Sequence, residues 1–79
     1  MPGNVYIREG NSGMYLLAVY LGRSHVASPL LFVSRLSESL SFETVEEANA
    51  TITFIGDVID YETSQCLEII VEPEVTSNV

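Results

Sequence analysis

A chain of 79 residues in which 47% of side chains are apolar makes one small domain, and this composition excludes an intrinsically disordered segment. A formal charge of -8, from 11 acids against 3 arginines and no lysine, excludes the attraction by which proteins hold nucleic acid or anionic membrane. The single cysteine, Cys66, rules out an internal disulfide and gives no sign of an oxidising compartment.

In chain order, residues 4–9 alternate, with Val5 and Ile7 on one side and Tyr6 and Arg8 on the other, the pattern of a half-buried strand. Gly10, Asn11, Ser12 and Gly13 follow as a hairpin loop dense in turn formers. Residues 14–22 read as a second strand whose two alternations are both apolar: Met14, Leu16, Ala18 and Tyr20 on one face, Tyr15, Leu17, Val19 and Leu21 on the other. A turn is expected at residues 22–25, and a short third strand over residues 30–35 after Pro29. Residues 36–40 form a connection, with Ser37, Glu38 and Ser39 as its polar centre.

Thr44 with Glu47 three residues on is a capping box, and Glu46 and Glu47 favour the positive end of a helix dipole. Val45, Ala48, Ile52, Ile55 and Ile59 then fall on one helical stripe aimed at a core, with Asn49, Thr53 and Asp60 opposite. A competing reading makes residues 50–55 a β-branched strand with a turn at Gly56 and Asp57. The cap and the stripe agree with each other and favour the helix. A last strand is expected over residues 66–72, with Leu67, Ile69 and Val71 inward, Cys66 as a small buried residue and Pro73 as its end. The expected fold is thus α+β, a small, mainly antiparallel sheet in the order β-β-β-α-β with one helix on one face. It spans residues 1–75, and residues 76–79 are expected to fray.

One helix covers only one face of a sheet, whereas the second strand is apolar on both. Either Tyr15, Leu17, Val19 and Leu21 or the Met14 series is therefore left outward, and the first set is the candidate for a face that meets a partner or a second copy in a homodimer. The alternative is that the connection over residues 34–41 folds across that face.

Charge is segregated along the chain. Arg8, Arg23 and Arg35 all precede residue 36, where Glu9 is the only acid, and the other ten acids follow without a cation. Glu43, Glu46, Glu47, Asp57, Asp60 and Glu62 are the candidates for a surface that meets a basic protein partner; the bland reading of the same acids is solubility.

Motifs for chemistry are missing. His25 is the only histidine, so no histidine cluster or Cys/His zinc spacing exists, and Ser24 beside it lacks an oriented base. Asp57, Asp60 and Glu62 lack the spacing of a calcium loop, and Gly10 and Gly13 lack the lysine and helix of a phosphate loop. The expectation is a non-enzyme with no metal and no cofactor. The apolar run at residues 14–21 is too short for a membrane span and follows Glu9 without the basic bias of a signal peptide, so the cytoplasm is the expected compartment.

The block Phe42, Glu43, Thr44, Val45, Glu46, Glu47, Ala48, placed after three short strands, resembles the helix start of many small phage and bacterial domains. Among these are compact acidic phage proteins that inhibit host defence, notably anti-CRISPR proteins. The resemblance implies a non-catalytic inhibitor that binds a nucleic-acid-handling protein in the host cytoplasm, by occupying its basic DNA- or guide-binding surface. It assigns no function to individual residues. The functional expectation is an acidic protein-binding module in which carboxylates imitate phosphates. The rival is a structural or assembly module that dimerises through the apolar sheet face.

Overall fold

A computed structural model describes residues 3–20 and 29–72. The turn at residues 22–25, Leu21 and the tail lie outside the described residues. Among the described residues four strands form one sheet: β1 (Val5–Glu9), β2 (Tyr15–Val19), β3 (Leu30–Val33) and β4 (Leu67–Val71). Their order is β3-β2-β1-β4 and every pairing is antiparallel. A 3-10 turn over Leu36–Glu38 and the helix α1 (Val45–Phe54) connect the two edge strands. The fold is α+β, with α1 packed on β1 and β4.

Residues 50–55 are helical, so the strand reading does not hold. The helix then widens into a π turn over Ile55–Ile59, closed by a bond from the Asp60 amide to the Ile55 carbonyl at 2.9 Å. A short second helix, α2 (Tyr61–Gln65), folds back on it. Gly56 permits this approach, because a Cβ there would stand 2.7 Å from Ser64 Oγ. A glycine that looks costly in a helix is thus set by contact with α2.

Among the described residues the core consists of Val5 and Ile7 from β1, Leu16 from β2, Leu30 from β3, and Ala48 and Ile55 from the helical layer. Ile7, Leu16 and Ile55 are fully buried, each stabilising by roughly 1.5–3 kcal/mol relative to exposure. Ile52 and Ile59 pack against this core as the stripe requires, but Val45 does not. It is 44% exposed in the first turn of α1, whose buried residue is Ala48. Cys66 is also displaced from its expected place: it ends α2 in a half-buried turn, and β4 starts one residue later.

Two irregularities shape the sheet. β1 and β2 are in register only at Arg8 and Tyr15, whereas β1 and β4 pair over five positions. Beyond Tyr15 the hairpin splays and residues 40–42 enter the gap. The Leu40 amide donates to the Leu16 carbonyl at 2.9 Å, and Phe42 exchanges backbone bonds with Val5 at 2.7 and 3.2 Å. Residues 40–42 thereby satisfy backbone groups the splay would orphan, and do so within the sheet rather than across its outer face.

The second irregularity is a β-bulge. Leu16 pairs with Phe32 and Ala18 with Leu31, leaving Leu17 as an extra residue on β2. One inserted residue reverses the alternation beyond it. Val19 therefore stands opposite buried Leu30 and packs against the core, while Ala18 joins Leu31 on the outer face.

Candidate protein-binding surface

All six candidate carboxylates are exposed, but they are not equivalent. Thr44 Oγ1 accepts the Glu47 amide at 3.1 Å, and Glu47 Oε1 accepts the Glu43 amide at 3.1 Å. The capping box thus closes on Glu43, one residue earlier than its usual target. Asp60 caps α2, its Oδ1 accepting the Glu62 amide at 3.1 Å and its Oδ2 the Thr63 hydroxyl at 2.7 Å. The Thr63 bond, more than any other contact, holds the Asp60 carboxyl below its ordinary range. Glu47 and Asp60 are therefore partly structural. Glu43, Glu46, Asp57 and Glu62 keep their carboxylates free of hydrogen bonds and ion pairs among the described residues.

Neither described arginine reaches these groups. Arg8 pairs with Glu68 at 2.8 Å, and Arg35 approaches Glu38 at 3.9 Å. Arg23 lies outside the described residues. The six acids gather at the two ends of the helical layer, Glu43, Glu46 and Glu47 at one and Asp57, Asp60 and Glu62 at the other. At a helical rise of 1.5 Å per residue the two groups are about 20 Å apart. Among the described residues no three of His, Cys, Asp or Glu converge to hold a metal ion.

Between these groups runs an apolar groove that the sequence reading missed. Because α1 stands over β1 and β4, the end of β2 is left beside it rather than beneath it. Val19, Leu40, Ala50, Thr51 and Phe54 line a space of about 360 Å³ there. Leu40 and Phe54 remain 38% and 40% exposed. The signal in the sequence was a second apolar spacing, Ala50 to Phe54 to Val58 in steps of four, on the side away from Ala48 and Ile55. The other half of the groove depends on the bulge and the splayed hairpin, which no spacing announces.

A second cavity of about 440 Å³ lies beyond the β1–β2 turn, among Glu9, Ser12, Phe32, Asp60, Thr63 and Cys66. Two of its acids, Glu9 and Asp60, are committed to local structure, whereas Glu62, which also lines it, keeps a free carboxylate among the described residues. Glu9 accepts the Ser12 amide at 2.7 Å, a bond that chiefly lowers its pKa. Cys66 meets an amide donor, Asn11 Nδ2, at 3.5 Å, and no described cation or base contacts its sulfur.

The candidate sheet face is divided by the bulge. Tyr15 is on the outer side with Arg8 and Val33, Leu17 is the half-buried bulge residue, and Leu21 lies outside the described residues. Val19 belongs to the helix side, which corrects its grouping with Tyr15. The outer face instead gathers Tyr6, Tyr15, Ala18, Leu31, Val33 and Ile70, with the Arg8–Glu68 pair at one end.

Among the described residues no helix is long and apolar enough to cross a membrane. Compared with family models, curated proteins and solved structures, the chain matches none.

Proposed function

We propose that this chain is a non-catalytic protein-binding module whose acidic helical layer occupies a basic surface on a partner. One observation carries the reading: Glu43, Glu46, Asp57 and Glu62 are exposed without a compensating cation among the described residues. Surface acids that serve the fold are found here as caps, in the β1–β2 turn or paired with arginine, and the carboxylates of these four do none of these among the described residues. A nucleic-acid-handling protein is the class of partner that presents such a surface, with carboxylates taking the place of phosphates. The test is affinity capture from the native host, followed by measurement of the dissociation constant at low and high salt. Binding should weaken steeply as salt screens the charges. Affinity indifferent to salt would sink the mimicry.

A second reading rests on the outer sheet face, where Leu31 is 40% exposed amid a largely apolar band. Such a face is suited to a homodimer. Sedimentation at high protein concentration separates the two readings, since a strict monomer rules out the dimer and leaves the acidic surface untouched.

A further inference from the structure

We infer that the groove between α1 and the end of β2 receives a basic amphipathic helix from the partner, an inference that rests on the reading above and specifies its contact. The groove is lined by Val19, Leu40, Ala50, Thr51 and Phe54. Its charge surroundings select the occupant. Glu47 lies one turn before Thr51 on the same side of α1, and Asp57 follows Phe54 by three residues. Among the described residues, an apolar strip with carboxylates towards both ends matches a helix that is apolar on one side and carries lysine or arginine at its flanks. A second copy of this chain, itself at -8, would bring like charge to the same place.

Backbone chemistry selects a helix over an extended segment. The described strand edges beside the groove are already engaged: Val19 pairs with Leu30, and the Leu16 carbonyl accepts the Leu40 amide. The other wall is α1, whose backbone bonds are internal. An extended guest would find little to satisfy its amides and carbonyls, whereas a helix brings its own bonds and inserts side chains at spacings of three and four.

The probe is a synthetic helix of about five turns, leucine along one face and lysine elsewhere, titrated into isotope-labelled protein and followed by amide shifts. A scrambled peptide of the same composition is the control. The amphipathic peptide should move the amides of Val19, Leu40, Ala50, Thr51 and Phe54 and bind at least tenfold more tightly than the scrambled one. Ala50→Gln, which fills the groove from an exposed helix position, and Phe54→Ser should each weaken it about tenfold. Equal binding of both peptides, with shifts only near Glu43, Glu46 and Glu47, would overturn the groove and leave the acidic surface standing. No binding of either peptide at low salt would overturn both. Groove variants without effect would refute the docking site, as would the same amide shifts arising from self-association without peptide. Nuclear Overhauser contacts between residues 21–28 and Phe54 in the free protein would overturn it as well, by showing the groove filled from within the chain.

Discussion

Gly56 and Ser64 face each other at a distance that leaves no room for a second side chain: a Cβ on Gly56 would lie 2.7 Å from Ser64 Oγ and 3.2 Å from Ser64 Cβ. Ser64 cannot swing aside freely, because it is buried and its hydroxyl donates to the Tyr61 carbonyl at 2.6 Å. Gly56→Ala would gain about 1 kcal/mol of helix propensity in an isolated helix. The collision outweighs this gain, and the variant should lose about 1–3 kcal/mol in urea denaturation. Ser64→Ala in the same chain should restore part of the loss by removing the oxygen. Equal or higher stability of Gly56→Ala alone would show that α2 does not pack as described.

The two kinds of carboxylate should separate by pH. Asp60 is held below its ordinary pKa by the Thr63 hydroxyl and the α2 amides, so its ionised form favours the fold. That contribution is complete above about pH 4, the unfolded value, and is lost as pH falls through the lower folded value. Asp60→Asn keeps a capping oxygen and removes the charge. Wild type should therefore be more stable than Asp60→Asn at pH 7, with the gap closing in the acid limb of a pH series of denaturation curves. Repulsion among the remaining acids also relaxes with acid, but it does so in both proteins and leaves the difference intact. A gap independent of pH would refute the ionic cap.

Glu43 and Asp57 should behave in the opposite way. Their carboxylates make no hydrogen bond and no ion pair among the described residues. Glu43→Gln with Asp57→Asn should change folding stability by no more than about 0.5 kcal/mol. The same pair of changes should weaken capture of a basic partner several-fold and flatten its salt dependence. Loss of stability without loss of binding would make these acids structural and remove the ground for the proposed interaction.

Much of the fold was legible because local and tertiary signals agreed. Gly10 to Gly13 gave the hairpin, Thr44 and Glu47 the cap, and Ala48, Ile52 and Ile55 the buried side of the helix. Failures came where two answers satisfied the same pattern. Residues 15–19 are apolar at every position, so their alternation could not reveal that Leu17 bulges and turns Val19 inward. Gly56 suits a turn by local pattern, and its place in the helix is explained only by a contact with Ser64 eight residues on. The acidic surface was visible as composition, but the capping role of Asp60 depended on α2, an element too short to leave a periodic trace. The groove joins β2, residue 40 and α1, so only the folded chain assembles it.

The bulge makes the last and sharpest prediction, because it assigns adjacent apolar residues to opposite faces. With perfect alternation from Tyr15, Val19 would be outward and Ala18 inward. The pairing of Val19 with Leu30 and of Ala18 with Leu31 reverses this. Val19→Glu would put a carboxylate against Leu30 and the groove wall, where desolvation without a partner is costly. It should lose about 2 kcal/mol or more in urea denaturation. Leu31→Glu places the same charge on the outer face, at a side chain already 40% exposed, and should cost less than about 1 kcal/mol. If the outer face forms a dimer, Leu31→Glu will also abolish it in sedimentation while Val19→Glu acts on folding. Equal costs at the two sites, or a larger cost at Leu31, would mean that β2 runs without the bulge, and the groove built on Val19 would fall with it.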